Sequence, residues 1–160
     1  MAQGTFQLFD EFSESVADGR IDLDTDTFKV AFVTLQVGGT PTITKADAVP
    51  TWGAGGTTNL SSSEVTPGGG YTAGGQALTS VTWAQTSGTA KFDAADLTWT
   101  SSASGDPTTI KTAVLYSDTA TNKDCIGYWD MTADGTTAIS LLSGDITLAH
   151  HASGIFTLGQ

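Results

Sequence analysis

The segment Asp22–Thr34 constrains the fold most, because an acidic turn there runs directly into an alternating apolar strand. The bulky residues Phe28, Val30 and Phe32 alternate with Lys29, Ala31 and Val33. This period of two is typical of a strand that buries its bulkier face. Phe, Val and Thr also favour a pleated, half-buried surface. The segment therefore predicts a central strand against which the later strands pack.

The N-terminal segment shows a helical pattern instead. Five apolar residues recur at near-helical spacing and predict a short amphipathic helix over Phe6–Ala17 that stops at Asp18-Gly19. The apolar side of this helix either covers one end of the domain, which is the favoured interpretation, or docks on a neighbouring subunit. Phe6, Phe9 and Phe12 are therefore candidate partner-binding residues.

Glycine and proline punctuate residues 36–71 so densely that no long regular element fits. A connection of this length is often functional, so it is a natural place for contacts with other chains. Two short helical turns, Thr44–Asp47 and Ser61–Glu64, match the capping-box pattern. Trp52 and Tyr71 are further partner-binding candidates, although an aromatic residue in such a loop equally well pins it to the core.

After Tyr71 the pattern of short strands returns. The predicted strands are Ala77–Trp83, Thr89–Phe92, Leu97–Trp99, Ile110–Tyr116, Asp124–Met131, Ala138–Leu142, Asp145–Ala149 and Gly154–Leu158. Many short strands with a single helix predict an all-β fold, an antiparallel β-sandwich or jelly-roll-like barrel. We divide the chain of 160 residues into an N-terminal helical segment, 1–20, and a single β domain, 21–160, that contains the long loop 36–71.

The charge of the chain is strongly negative. Seventeen carboxylates stand against six Lys or Arg residues, for a formal net charge of −11. Nucleic-acid binding draws most of its affinity from basic side chains, and anionic membranes attract basic segments. We therefore expect neither nucleic acid nor a membrane as a partner.

The alternate carboxylates of Asp22, Asp24 and Asp26 are the one candidate metal site. Carboxylates on one side of an extended segment are ligands that suit Ca²⁺. The match to a calcium-binding EF-hand loop fails, because Thr27 replaces the required glycine and Val33 the required glutamate. The alternative is a solvated turn whose aspartates cap nearby backbone groups.

No catalytic residue and no cofactor is predicted. Adjacent strand residues such as His150 and His151 point to opposite faces, and Asp93 and Asp96 read as turn formers. The glycine-rich run Gly68–Gly75 lacks the Lys-Ser/Thr ending of a phosphate-binding loop. It indicates close chain approach instead, with Tyr71 fixing the segment against the core. The lone Cys125 lies in an apolar run and indicates a buried small residue.

The N-terminus lacks the basic start and apolar block of a secretory signal. No apolar run approaches the length of a membrane span. We therefore expect the mature protein to begin where the gene begins and to fold in a cytoplasm.

Five segments in order resemble a family of tailed-bacteriophage virion proteins. They are IDLDTDTFKVAFVT at Ile21–Thr34, GGGYTAGGQAL at Gly68–Leu78, FDAADLTWT at Phe92–Thr100, AVLYSDT at Ala113–Thr119 and IGYWDM at Ile126–Met131. The resemblance implies a β-rich structural subunit of the virion without enzymatic activity. It supplies no functional residues to carry over.

Within a virion, a capsid decoration or cement protein that binds the outer surface of the major capsid protein is the favoured role. A tail, neck or fibre component, which forms rings or trimers, is the alternative, and self-association fits either role. A second alternative is a host-surface glycan-binding module that uses exposed tryptophans. Among these Trp52 is the good candidate, because strand alternation buries Trp83 and Trp99.

Overall fold

The computed structural model describes residues 3–159. Helix α1 is Phe12–Ala17, and 3₁₀ turns cover Leu60–Ser63 and Leu141–Ser143. The strands are β1 Gln7–Leu8, β2 Phe28–Val33, β3 Gln36–Val37, β4 Thr42–Ile43, β5 Pro50–Thr51, β6 Thr58–Asn59, β7 Gln76–Ala77, β8 Thr82–Thr86, β9 Thr89–Asp93, β10 Leu97–Trp99, β11 Thr112–Ser117, β12 Cys125–Asp130, β13 Ile146–Leu148 and β14 Phe156–Gly159.

The largest sheet has five antiparallel strands in the order β1-β12-β11-β2-β7. The strand predicted within Asp22–Thr34 exists as β2, but β11 is the central strand of the sheet. The reason is that β11 pairs with β12 on one side and with all six residues of β2 on the other. On the far edge of β2, the only strand is the two-residue β7, and a single bridge joins Val33 to Glu64.

Both faces of this sheet are buried. The alternation in β2 predicts burial of only one face. Phe28, Val30 and Phe32 lie in the larger of two hydrophobic clusters, on the first face. Ala31 and Val33 lie in the smaller cluster, on the second face. All five side chains have an exposed fraction of 1% or less. The smaller residues therefore face a second core rather than solvent.

Two small sheets cover the first face. One is the three-stranded sheet β14-β9-β8, and the other pairs β10 with β13. They contribute apolar side chains to the first core, namely Phe92, Leu97, Trp99, Ile146, Leu148 and Phe156. Antiparallel sheets that pack their inner faces in this way form a sandwich.

The segment 36–71 covers the second face. It contains β3 to β6 in two parallel pairs of two-residue strands, so the prediction that no long element fits here is confirmed. Ile43, Trp52 and Leu60 from this segment pack in the second cluster together with Tyr116 and Tyr128 of the sheet. The long glycine-rich segment is therefore a layer of the core as well as a connection.

The helix predicted over Phe6–Ala17 is wrong in its first half. Gln7 and Leu8 form β1, which pairs with Tyr128 and Gly127 of β12. The open edge of β12 offers backbone partners that an isolated helical turn of this length lacks. Gly127 also leaves space there, because a Cβ atom at this position would lie 2.5 Å from the ring of Phe6. The predicted stop is confirmed, since Asp18 caps α1 and Gly19 has a φ of +69°.

Three other sequence predictions need correction. The extended run Ala77–Trp83 divides between the two sheets, with Ser80 at a φ of +54° where the chain changes direction. The strand predicted over Ala138–Leu142 is a single bridge at Ile139 followed by a 3₁₀ turn. The segment Thr44–Asp47 is a side-chain-bonded turn rather than a helix.

The second predicted helical turn exists one residue early. The 3₁₀ turn Leu60–Ser63 begins at Asn59, whose side chain accepts from the backbone N–H of Ser61. Asn is among the best residues at this position. The capping role predicted for Ser61 therefore falls to Asn59.

The architecture is an all-β fold with one short helix, as the sequence predicts, and its larger sheets are antiparallel. Within residues 3–159 the strands form separate open sheets and do not close into a barrel.

Candidate functional site

The aromatic residues predicted to bind a partner belong mostly to the protein's own core. Phe9 packs against Tyr128 with ring centroids 5.2 Å apart, and Phe12 meets Phe156 edge-on at 5.3 Å. Both have an exposed fraction of 2%. Phe6 is half-buried and contacts Trp129. The hypothesis that these residues dock on a neighbouring subunit is therefore corrected for Phe9 and Phe12.

Trp52 and Tyr71 are buried as well. Trp52 stacks on Tyr116 with centroids 5.0 Å apart and an interplanar angle of 11°, and so it pins the long segment to the second face. Tyr71 stacks on Phe32 on the first face. An anchor for a partner has to be accessible before binding. Neither aromatic residue offers an exposed platform, so we set both aside as partner or glycan contacts.

A hydrogen-bond network explains the burial of Tyr71. Its hydroxyl accepts from the backbone N–H of Phe32 at 3.0 Å and donates to a carboxylate oxygen of Glu64 at 2.8 Å. The same oxygen accepts from the N–H of Gly74, and Tyr116 donates to the carbonyl of Gly74. Burial raises the pKa of Tyr71 and of Tyr116 well above the ordinary value, so both stay protonated donors.

The acidic turn Asp22–Asp26 directs its carboxylates to the protein rather than to one shared point. Asp22 accepts from the N–H groups of Asp24 and Thr25, while Asp26 accepts from the hydroxyls of Ser117 and Thr119. Hydrogen bonds from Thr25 and Asp24 lower the pKa of Asp22. Across residues 3–159, no group of three His, Cys, Asp or Glu side chains has an arrangement that would hold a metal ion. The candidate metal site Asp22, Asp24 and Asp26 is therefore corrected to a capped turn.

The basic side chains are all engaged within the chain. Arg20 contacts Glu11 at 3.1 Å and Asp124 at 3.3 Å, and each of Lys29, Lys45, Lys91 and Lys123 pairs with an aspartate. The sixth, Lys111, donates to the side chain of Gln36. These ion pairs use six of the seventeen carboxylates. Eleven carboxylates therefore have no cationic partner within the described residues, and the surface stays acidic.

A recess of about 800 Å³ lies beside the N-terminal segment, and we call it the N-terminal recess. Phe6, Trp129 and Ile155 contribute apolar wall, and Asp145 and His151 contribute polar groups. Gln3 also lines the recess, and its side chain exchanges two hydrogen bonds with the backbone of Ala149. The volume falls in the range of small-molecule sites.

His150 and His151 have separate roles at this recess. The ring of His150 stacks on Trp129 at 5.9 Å, and its Nδ1 lies 3.1 Å from the carbonyl oxygen of Ala94. A carbonyl only accepts, so Nδ1 donates this hydrogen bond, while the buried Nε2 has no partner among the described residues. His151 accepts the N–H of Ser153 at its own Nδ1. The two rings therefore do not converge on one point.

The other reactive side chains also have structural partners. Asp93 pairs with Lys91 at 2.8 Å, which lowers its pKa, and Asp96 accepts from the backbone N–H of His150. Cys125 is buried, and burial raises the pKa of its thiol well above the ordinary value.

Sequence reasoning missed the N-terminal recess and the role of Asp106. The recess forms where the N-terminal segment meets the turn after β13, and no local pattern brings these together. Asp106 is 6% exposed and accepts from the N–H groups of Gly70 and Ser102 and from two serine hydroxyls. Asp106 follows the serine-rich segment Ser101–Ser104, and this composition is typical of turns held by side-chain hydrogen bonds. That pattern could have indicated its role.

Comparisons with known proteins give no match: no family model, no curated protein and no solved structure is significantly similar to this chain. Among the helices within residues 3–159, none has the length and apolar character that crossing a bilayer requires.

Proposed function

We propose that this protein is a structural subunit of a bacteriophage virion, a capsid decoration protein that binds the outer surface of the major capsid protein and stabilises the shell. The proposal starts from the resemblance of its five ordered segments to tailed-phage virion proteins. In this proposal the protein has a binding role and no catalytic activity. It is made in the host cytoplasm and acts in the virion.

One observation carries the proposal beyond the resemblance. Every described cation is engaged by its own chain, while eleven carboxylates have no cationic partner. The molecule therefore presents a negative field around a rigid sheet that is buried on both faces. Such a field steers association with surfaces of the opposite charge, and it opposes contact with packaged DNA inside the shell.

Reconstitution tests the proposal. Particles that lack this protein are mixed with the purified chain, and bound copies are counted after sedimentation. We expect saturable binding to the shell and an increase in the temperature at which the shell releases its DNA. Particles in which the protein binds only the neck or tail, with no change in heat resistance, would instead support the role of a tail, neck or fibre component.

The N-terminal recess favours glycan binding as a second candidate function. Sugars bind where aromatic side chains and a few fixed polar groups share one concave site. Phe6 supplies a half-buried ring there, and Asp145 and His151 supply polar groups. A glycan array with the wild-type chain and with His151→Ala tests this function. Binding that the substitution removes supports it, and absence of binding to any glycan contradicts it.

A further inference from the structure

The three-stranded sheet β14-β9-β8 has an unusual free edge at β8. The large sheet ends in strands of only two residues, β1 and β7. In contrast, β8 has five residues, four of them exposed, and pairs only with β9. Natural proteins protect such edges with Lys, Pro or a bulge. The sequence of β8, TWAQT, has no charged residue and no proline, and its register with β9 is regular.

The hairpin turn determines which backbone groups of β8 face the free edge. Ser87 and Gly88 have φ angles of +52° and +87°, as in a type I′ turn. Thr86 and Thr89 therefore form a hydrogen-bonded pair, and pairs alternate along the ladder. Trp83 and Gln85 accordingly direct their N–H and C=O groups away from β9. No backbone hydrogen bond from these two residues to another part of residues 3–159 exists outside the ladder.

We propose that β8 is a self-association edge, at which two copies of this chain pair their β8 strands antiparallel around a two-fold axis at Ala84. Trp83 of one copy then lies opposite Gln85 of the other, and the outward N–H and C=O groups of both residues exchange hydrogen bonds. Ala84 faces its own counterpart in a non-hydrogen-bonded pair, where side chains are closest. The arrangement is self-complementary, as a two-fold interface requires.

The absence of charge on β8 permits a second copy at this edge and disfavours a cationic partner there. Two molecules that each carry a net charge of −11 repel one another, so a contact between them is most favourable where no carboxylate lies opposite another. The β8 edge meets this condition, because none of its five residues is charged. A cationic partner would bind where carboxylates are exposed, and β8 contains no carboxylate. The pairing concerns the isolated chain and does not depend on the proposed function.

Substitutions at Ala84 test the pairing through charge. The side chain of Ala84 is exposed, so Ala84→Glu is compatible with the monomer fold. In the dimer it places two carboxylates directly opposite each other, and we expect the dissociation constant to rise by about tenfold or more. Ala84→Gln is the neutral control of similar size. Light scattering should give twice the 16.4 kDa chain mass for the wild type and for Ala84→Gln.

Gln85 provides an independent backbone test. Gln85→Pro removes an N–H that points to solvent in the monomer, a position where edge strands accept proline. It should abolish pairing and leave the circular dichroism spectrum unchanged, whereas Gln85→Ser should pair normally. A wild-type chain that stays monomeric at concentrations up to about 1 mM, where even a weak interface is populated, overturns the proposal. Dimers of unchanged affinity in both Ala84→Glu and Gln85→Pro also overturn it.

Cross-linking gives a positive signal that does not depend on a disrupted variant. The only native cysteine, Cys125, is buried, so the background is low. Ala84→Cys should form a disulfide-linked dimer under mild oxidation, because directly opposite residues of an antiparallel pair lie within disulfide reach. Thr57→Cys, on the exposed part of the long segment, is the control. Equal cross-linking of both variants contradicts the two-fold register.

Discussion

Individual residues in the run Gly68–Gly75 show how a short motif serves the whole fold. Gly75 has a φ of +77°, and a Cβ atom there would lie 1.9 Å from the carbonyl oxygen of Val30. A Cβ atom on Gly70 would lie 1.8 Å from the carbonyl oxygen of Thr100. Only glycine allows both close approaches. They place Tyr71 where its hydroxyl satisfies the N–H of Phe32, at the edge of β2 beyond β7.

Removing the Tyr71 hydroxyl tests this arrangement. Tyr71→Phe keeps the ring but leaves the N–H of Phe32 without a partner in the core. We expect the free energy of unfolding to fall by about 1–3 kcal/mol, as measured by urea denaturation. Thr57→Ala, at an exposed position, is the control. A loss for Tyr71→Phe no larger than that for Thr57→Ala would contradict the role of this hydroxyl.

The Arg20–Asp124 ion pair makes a pH-dependent prediction. Burial raises the pKa of Asp124, and the Arg20 guanidinium opposes the increase. Arg20→Met leaves the carboxylate buried without its cation, and we expect a loss of about 3 kcal/mol at pH 7. A folded-state pKa above the unfolded value means that the native state binds more protons. The loss should therefore shrink as the pH falls from 7 toward the unfolded pKa of about 3.9.

Lys45→Met is the matched control for this prediction. Lys45 and Asp10 form an exposed pair, with side chains 65% and 55% accessible. Its removal should change the free energy of unfolding by about 0–1 kcal/mol, with little dependence on pH. Equal losses for the two variants, or a loss for Arg20→Met that grows on acidification, would contradict the role of Asp124.

Asp106 predicts the opposite pH dependence. Hydrogen bonds from Gly70, Ser102 and Ser101 lower the pKa of Asp106. A folded-state pKa below the unfolded value contributes stability above the unfolded pKa of about 3.9, and this stability is lost as the pH falls through the folded pKa. Asp106→Asn should therefore lower the urea midpoint at pH 7 and flatten its decline below about pH 4. A parallel decline in both proteins would contradict this.

At the scale of elements, the sequence predicts where strands lie along the chain better than it predicts which strands pair with each other. The β11–β12 hairpin follows from local signals, because the predicted strands Ile110–Tyr116 and Asp124–Met131 flank a polar turn, and the structure confirms this pairing. The strand that precedes β9 is predicted too early, over Ala77–Trp83, whereas β8 is Thr82–Thr86. The N-terminal prediction fails because the partner of β1 is β12, more than one hundred residues away. Spacing along the chain contains no information about an edge that the rest of the fold leaves open.

The candidate site shows the same limit. The sequence identifies Trp52 and Phe9 as residues that pack either in the core or against a partner. Which of the two occurs depends on whether the second face of the sheet is covered. The residues that cover it come from 36–71, which the sequence indicates only as a loop. Three apolar residues of this segment, Ile43, Trp52 and Leu60, pack in the second core. Their spacing has no periodicity, so the sequence does not indicate that the segment is a layer of the core.

Removing the Trp52 ring tests the role of the long segment. Trp52→Ala opens a cavity against Tyr116, and we expect the free energy of unfolding to fall by about 3–5 kcal/mol. Thr57→Ala, at an exposed position of the same segment, should have little effect. If Trp52 anchored a partner instead, its removal would weaken partner binding and leave stability unchanged. Denaturation curves of the two variants distinguish these outcomes.

At the scale of the whole molecule, the proposed decoration role makes a prediction about charge. Under this proposal, the net charge of −11 should speed association with a shell surface of opposite charge. The screening length falls from about 10 Å at 0.1 M salt to about 3 Å at 1 M. The association rate with particles that lack the protein should therefore fall steeply between these salt concentrations, as measured by light scattering. A rate independent of salt would contradict electrostatic steering.

A cryo-electron microscopy reconstruction of the virions to which we propose this chain belongs tests the proposed function most directly. We expect a sandwich-shaped density, repeated on the order of hundreds of times in the symmetric shell, on the outer surface of the capsid. Absence of this density from the shell, or its presence only at the neck or tail, would contradict the assignment as a decoration protein.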